Sequence, residues 1–224
     1  MYFSIGTPLR LSDLGVTLPD ISLLKRWIEI AVLDDEPFLR TAALRTHGFR
    51  LTELGGDIKS VDQVAAYPIV VCDIRGVGKS FGSQFEGAHV ISEIKKSYPD
   101  KFLIAYTGLT HEITYNTKLA SADASASKDA PIDYWTQLLE HGLTNVGDPK
   151  RRWIRFRATL LDRGVELFDV LELEQAFIKS ITRRNSGLLL EEAKRLRFQG
   201  EIMDLIAKFA GAALAGLIKH AILK

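Results

Sequence analysis

The chain has 224 residues, 46% of them hydrophobic and 25% charged, which suits one domain plus an appendage and excludes collagen-like and disordered classes. Its formal net charge of +1 argues against a general polyanion binder, which needs an excess of Lys and Arg to neutralise phosphates. Cys72 is the only cysteine, so an intramolecular disulfide and a cysteine zinc cage are excluded and a reducing cytosol is the expected setting.

Residues 1–27 hold short apolar pieces broken by Gly6, Pro8, Gly15 and Pro19, the pattern of an arm or a short extra strand. Met1 to Asp20 lack a basic stretch followed by an apolar run and a small-residue cleavage site, so no signal peptide is expected. From Trp27 to about Gly142, short apolar runs alternate with amphipathic stretches, as in repeated βα units on a parallel sheet. The runs predict strands at Ile28 to Leu33, Arg50 to Leu54, Ile69 to Cys72, Phe102 to Tyr106 and, more weakly, Ala124 to Ser127. Helices are expected at Pro37 to Thr46, Ser60 to Ala66, Glu86 to Ser97, Glu112 to Ala120 and Pro131 to His141. After Asp148 and Pro149 the alternation stops and no strand is expected. Apolar spacings of three, four and seven predict an amphipathic helix over Gly164 to Ser180, and another runs from Leu188 to the end with an interruption at Gly200. Phe209 to Ile218, the longest charge-free stretch there, is about half the ~20 residues that span a bilayer.

Two of the strands, Ile28 to Leu33 and Ile69 to Cys72, are almost continuously apolar, as when helices cover both faces of a sheet, and each is followed by an aspartate. In open α/β sheets the ligand site lies beyond the carboxyl ends of the strands, so Asp34, Asp35, Asp73 and Thr107 should gather at one edge. Carboxylates after neighbouring strands suit Mg²⁺, a hard cation that takes oxygen ligands and keeps several waters. An ionised aspartate can attack a phosphoryl group without a general base. Thr107 and Lys128 would then supply a hydroxyl donor and an ammonium to the transferring oxygens.

The segments IAVLDDEP (Ile30 to Pro37), VVCDIRG (Val70 to Gly76), EIKKSYPDKFLIAYTG (Glu93 to Gly108) and SKDAP (Ser127 to Pro131) resemble the receiver domain of bacterial two-component response regulators. The resemblance covers residues 28 to 142, about half of the chain. It implies a flavodoxin-like five-stranded parallel sheet of order 2-1-3-4-5 flanked by helices, with the α-helical C-terminal region as an appendage. It also implies an N-terminal arm at 1–27, a receiver domain at 28–145 and a helical output or dimerisation region at 146–224. In that frame Asp73 is the phosphate acceptor, Thr107 the switch hydroxyl and Lys128 the phosphate-contacting lysine. Asp34, Asp35, Asp73 and the backbone carbonyl of Arg75 would hold Mg²⁺. The implied partners are a histidine kinase or phosphotransfer protein, and a second copy or a protein partner on the C-terminal helices. Neither DNA nor membrane contact is expected. Three features depart from the family: Asp129 stands where proline usually follows the lysine, Ser125 replaces the switch aromatic, and the loop after Asp73 is longer. A pseudo-receiver that uses the same face without phosphorylation is the alternative.

Other motifs read more plainly. GVGKS at Gly76 to Ser80 lacks the first glycine of a phosphate-binding loop, because Asp73 holds that position; it reads as a loop that could bring Lys79 or Ser80 over the site. Cys72, inside an apolar strand, reads as a core residue. In KRRWIRFR (Lys150 to Arg157), Trp153 and Phe156 read as core anchors on a basic helix face rather than a nucleic-acid surface.

Overall fold

The computed structural model describes residues 8–108, 120–220 and 222–223. They fall into two compact units, one of residues 19–152 and the other combining the N-terminal segment up to Leu18 with the chain from Trp153 onward. The strands, in chain order, are β1 (Val16–Thr17), β2 (Glu29–Leu33), β3 (Arg50–Glu53), β4 (Ile69–Asp73), β5 (Phe102–Thr107), β6 (Ala124–Ser127) and β7 (Ile222–Leu223).

The 19–152 unit is built on a five-stranded sheet of order β3-β2-β4-β5-β6 in which every neighbouring pair is parallel. Counted along this unit alone, that is the order 2-1-3-4-5 implied by the resemblance. Side chains alternate across the pleat, so each strand feeds two cores. Ile30, Val32, Ile69, Val71, Phe102, Ile104 and Tyr106 face one side, where Trp135, Leu139, Leu143 and Val146 of helix Ile132–Gly147 cover them. Ala31, Leu33, Val70, Cys72, Leu103 and Ala105 face the other, under Val90, Ile91 and Ile94 of helix Glu86–Ser97. Burial of each large apolar side chain stabilises the fold by roughly 1.5–3 kcal/mol. Gly87 lets the start of the second helix approach β4: a Cβ there would strike the Asp73 carbonyl oxygen.

Several elements differ from the sequence reading for local reasons. Instead of a plain arm, residues before β2 form helix Ile21–Trp27, whose first turn is capped by the Asp20 carboxylate accepting from the Ser22 amide at 2.8 Å. The helix expected from Pro37 starts at Thr41, because Glu53 binds the Phe38 amide (3.3 Å) and the Thr41 hydroxyl (2.7 Å) and holds residues 37–40 in a turn. Ser60 and Gln63 form a capping box around a single 3₁₀ turn, Val61–Val64, in place of a longer helix. The helix expected at Glu112 to Ala120 lies outside the described residues except for its last position.

The other unit is helical. Trp153 stacks on Phe177 (centroids 4.7 Å apart) and Phe156 on Phe209 (4.0 Å), all buried, so the two aromatics of the basic run are core anchors as expected. Glu174, buried, accepts from the Trp153 indole N–H at 2.6 Å and from Arg157 at 3.2 Å. The Gln175 side chain binds both the amide and the carbonyl of Leu9, tying the N-terminal segment to helix Leu167–Thr182. The stretch expected as helix from Leu188 with an interruption at Gly200 runs as Gly187–Arg195, Gly200–Lys208, a π-helical segment Phe209–Leu214 and Ala215–His220. The break coincides with left-handed backbone at Arg197 (φ 62°) and Gly200 (φ 56°). β7, in a region where no strand was expected, pairs antiparallel with β1, which lies in the segment read as an arm or a short extra strand. Among the described residues no helix is long and apolar enough to cross a membrane.

Candidate functional site

The carboxyl ends of the central strands bring five of the expected residues together. Asp34 and Asp35 follow β2, Asp73 closes β4, Thr107 closes β5, and Lys128 follows β6 with its amide bonded to the Thr107 carbonyl at 3.0 Å. Asp34, Asp35 and Asp73 each offer a ligand oxygen, and these atoms lie within 4.8 Å of one another. Asp34 and Asp73 are buried and Asp35 is exposed, so the cluster opens outward on one side. All three are hard oxygen donors, a set that fits a divalent cation while leaving positions for water. Arg75, two residues past Asp73, donates its amide to Asp73 Oδ1 at 3.2 Å.

Lys128 Nζ stands 2.5 Å from Asp73 Oδ2 and 3.8 Å from Asp34 Oδ2. Burial pushes the Asp73 carboxyl above its ordinary value, against the pull of Lys128 and the Arg75 amide, and the neighbouring Asp34 charge pushes the same way as burial. For Lys128, burial lowers the pKa, but the hydrogen bond and charge of Asp73, with Asp34 and Glu36, outweigh it and the net shift is upward.

The loop after Asp73 is folded against the site. Gly78 donates its amide to the Gly56 carbonyl (2.8 Å), Ser80 its hydroxyl to the Ile58 carbonyl (2.5 Å), and Gly76 its amide to Glu86 (2.7 Å). Gly76 has φ +75°, and a Cβ there would run into the Asp35 carboxylate, so the glycine is required by both conformation and space. This fold leaves Lys79 Nζ 3.9 Å from Asp35 Oδ2, an exposed pairing. Ser80 is turned to Ile58. Cys72 is fully buried, its thiol bonded to the Asp73 carbonyl (3.3 Å) and raised well above its ordinary pKa by burial, which makes it a core residue and not a nucleophile.

One residue of the site escaped the sequence reading. Tyr106, 1% exposed, donates its hydroxyl to Asp34 Oδ2 in a short hydrogen bond, and Lys128 Nζ lies 5.4 Å from its ring centroid. Burial and the Asp34 charge raise the phenol far above its ordinary pKa, so it stays a donor. Strand alternation from Phe102 and Ile104 places Tyr106 on the face toward helix Ile132–Gly147, which was the available signal. A cavity of about 50 Å³ beside it is lined by Asp34, Glu36, Phe38, Leu39, Tyr106 and Lys128.

No protein-family model matches the sequence, and no characterised protein matches it. Solved structures similar to this chain include response-regulator and receiver proteins. The signal receiver domain of an HD domain-containing protein from Pseudomonas fluorescens Pf-5 is 17% identical over 53% of this chain and 88% of its own, with a TM-score of 0.41. A response regulator from Burkholderia pseudomallei, solved with a phosphorylated aspartic acid, a calcium ion and citrate, is 13% identical over 81% of this chain and 97% of its own (TM-score 0.41). Full-length FixJ from B. japonicum is 15% identical over 84% and 94% respectively (TM-score 0.44).

Proposed function

We propose that this chain is a response-regulator-like signalling protein that accepts a phosphoryl group on Asp73 from a phosphohistidine of a kinase or phosphotransfer protein. The observation that carries the reading is the set of three carboxylates within 4.8 Å at the ends of adjacent parallel strands, with Lys128 2.5 Å from Asp73. Asp34, Asp35, Asp73 and the Arg75 carbonyl would hold Mg²⁺, which supplies positive charge to the transferring phosphoryl oxygens. An Asp73 carboxylate oxygen attacks phosphorus; the O–P bond forms as the P–N bond breaks, and the imidazole departs with a proton on its other nitrogen. Lys128 then exchanges its bond to the carboxylate for one to the phosphoryl group, and Thr107, at the end of β5, donates its hydroxyl from the opposite side. Water later attacks phosphorus, the bond from phosphorus to the Asp73 oxygen breaks, and inorganic phosphate leaves with the carboxylate regenerated. The signal passes by protein contact through the C-terminal helices, where Phe168, 81% exposed, and Leu167 and Leu171 leave apolar surface for a partner or a second copy. The setting is cytoplasmic.

Incubation with Mg²⁺ and acetyl phosphate should add the mass of one phosphoryl group to the intact protein, and Asp73→Asn should abolish the addition. A wild-type protein that stays unlabelled under conditions that label an established receiver would refute the reading. The alternative, a module that uses the same face without phosphorylation, draws on the bonds already made by Asp73 to Lys128 and by Asp34 to Tyr106, and it predicts that unlabelled result.

A further inference from the structure

The cation site has a buried partner that its own ligand set does not explain. Asp34, 7% exposed, uses Oδ1 to accept the Glu36 amide at 3.0 Å and Oδ2 to accept the Tyr106 hydroxyl. The Tyr106 ring is wedged edge-on against Phe38 (centroids 5.2 Å apart) and Trp135 (5.9 Å), and Phe38 meets Trp135 at 5.2 Å. Trp135 lies in helix Ile132–Gly147 and is fully buried, yet its indole N–H has no hydrogen-bond partner among the described residues. A buried donor without an acceptor is a costly arrangement that a small movement of a neighbour can relieve. One tyrosine thus touches a carboxylate of the cluster, the lysine beside it and an unsatisfied tryptophan of the covering helix.

We infer that Tyr106 is a positioning residue of the cation site, holding Asp34 aimed into the cluster through its hydroxyl and linking occupancy of the site to helix Ile132–Gly147 through Trp135. Carboxylates that bind a metal are themselves held by hydrogen bonds, and loss of such a partner costs about 10- to 100-fold in metal affinity. Without the phenol, Asp34 Oδ2 has only Lys128 at 3.8 Å, and the carboxylate is free to turn toward that ammonium and away from Asp35 and Asp73. When a cation draws on Asp34, the phenol must follow or release it; either movement shifts a ring packed on Trp135. The inference rests on the cation-binding part of the proposed function and not on phosphorylation.

The test uses the full chain at neutral pH, with Mn²⁺ binding followed by the electron paramagnetic resonance of the free ion. Tyr106→Phe should weaken binding by about 10-fold or more. Incorporation of 5-fluorotryptophan adds a second measurement by fluorine resonance, with the Trp135 signal assigned from Trp135→Phe. In the wild type that signal should shift on Mg²⁺ addition with the midpoint of cation binding. In Tyr106→Phe it should stay in place even at saturating Mg²⁺, a loss of coupling that a merely weakened fold would not produce. Equal Mn²⁺ affinity in the two proteins, or the same Trp135 shift in both, would overturn the inference. So would a wild-type Trp135 signal that ignores the cation, a result that needs no variant to fold, and so would a wild type that binds no more Mn²⁺ than Asp34→Asn. Cation binding with the Tyr106 dependence but without a phosphoryl adduct would sink the phosphorylation reading alone. An adduct on a protein whose cation affinity ignores Tyr106 would sink this inference alone.

Discussion

Asp73→Asn should make the protein more stable at neutral pH in the absence of divalent cations, although it removes a partner of Lys128. Charges set the sign. At an effective dielectric constant of about 20, two carboxylates within 4.8 Å repel by about 3.5 kcal/mol, and Asp73 faces Asp34 at that range with Asp35 beside it. The ammonium of Lys128 at 2.5 Å attracts by about 6–7 kcal/mol on the same scale, so attraction and the two repulsions nearly cancel. What remains is the cost of desolvating a carboxylate that is 3% exposed, and this is why burial raises its pKa above the ordinary 3.8. The folded protein therefore holds that proton to higher pH than the unfolded chain does, and stability falls as pH rises through the window above 3.8. The asparagine, which has no charge to desolvate, should therefore raise stability at pH 7 and move the urea midpoint upward. Urea unfolding followed by circular dichroism, with chelator present, measures it. The gain should vanish below the carboxylate range, where wild-type Asp73 is neutral too. Mg²⁺ should reverse the order, since ligand that binds only the native wild-type site adds about 1.4 kcal/mol for each tenfold excess over its Kd. An Asp73→Asn protein less stable than the wild type in chelator would refute the reasoning.

Three further outcomes follow from named contacts. Phe209→Ala, which removes a buried ring stacked 4.0 Å from Phe156, should cost about 3–5 kcal/mol of the helical unit's stability, read by urea unfolding. Gly87→Ala should lower the melting temperature and the phosphoryl acceptance of Asp73 together, because its methyl group would displace the Asp73 carbonyl from the helix start; an unchanged melting temperature would contradict the close approach. Lys101, 2% exposed and bonded to the Ala65 and Tyr67 carbonyls at 2.8 and 2.7 Å, has its pKa pulled down to about 7 by burial. The unfolded chain keeps that proton to about 10.5, so between pH 7 and 8.5 the unfolded state binds more protons and stability should rise with pH; Lys101→Met should flatten the rise. That window stays below 9.0, above which the Cys72 thiol of the unfolded chain ionises and works in the opposite direction.

Where the sequence was legible, one physical signal dominated each element. Apolar runs long enough to be buried on both faces marked β2 and β4, and the polar residues that end them marked the site. Even β6, with only alanines and serines, was legible at Ala124–Ser127 because it precedes Lys128 and Pro131 at the spacing of a last βα unit. What stayed hidden depends on partners distant in sequence. The Tyr106 hydroxyl meets Asp34 across the intervening strand β4, and an aromatic ring inside an apolar strand reads as packing until that carboxylate is in place. β7 exists by pairing with β1, near the other end of the chain. Helix Ile21–Trp27 is only two turns long, and the glycine and prolines before it outweighed the capping signal of Asp20.

The departures from the receiver pattern fall at two places: Ser125 and Asp129 at the β6 edge of the sheet, and the long loop after Asp73 against the segment that follows β3. Ser125, where the family carries its switch aromatic, is exposed and uses its carbonyl to accept the Tyr134 hydroxyl at 3.0 Å. No ring stands at that position, and the aromatic contact with the acidic cluster comes instead from Tyr106, on the neighbouring strand and beneath the surface. The long loop after Asp73, pinned at Gly56, Ile58 and Glu86, contributes Lys79 to the rim beside Asp35. Three carboxylates against the ammoniums of Lys128 and Lys79 leave one negative charge in excess; a bound divalent cation turns this into one positive charge. A phosphoryl donor, itself anionic, is repelled in the first state and attracted in the second. Under the proposed function a bound cation would control approach as well as reaction, and the loop lysine brings the cation-free cluster closer to neutrality than the acidic triad and Lys128 would be without it.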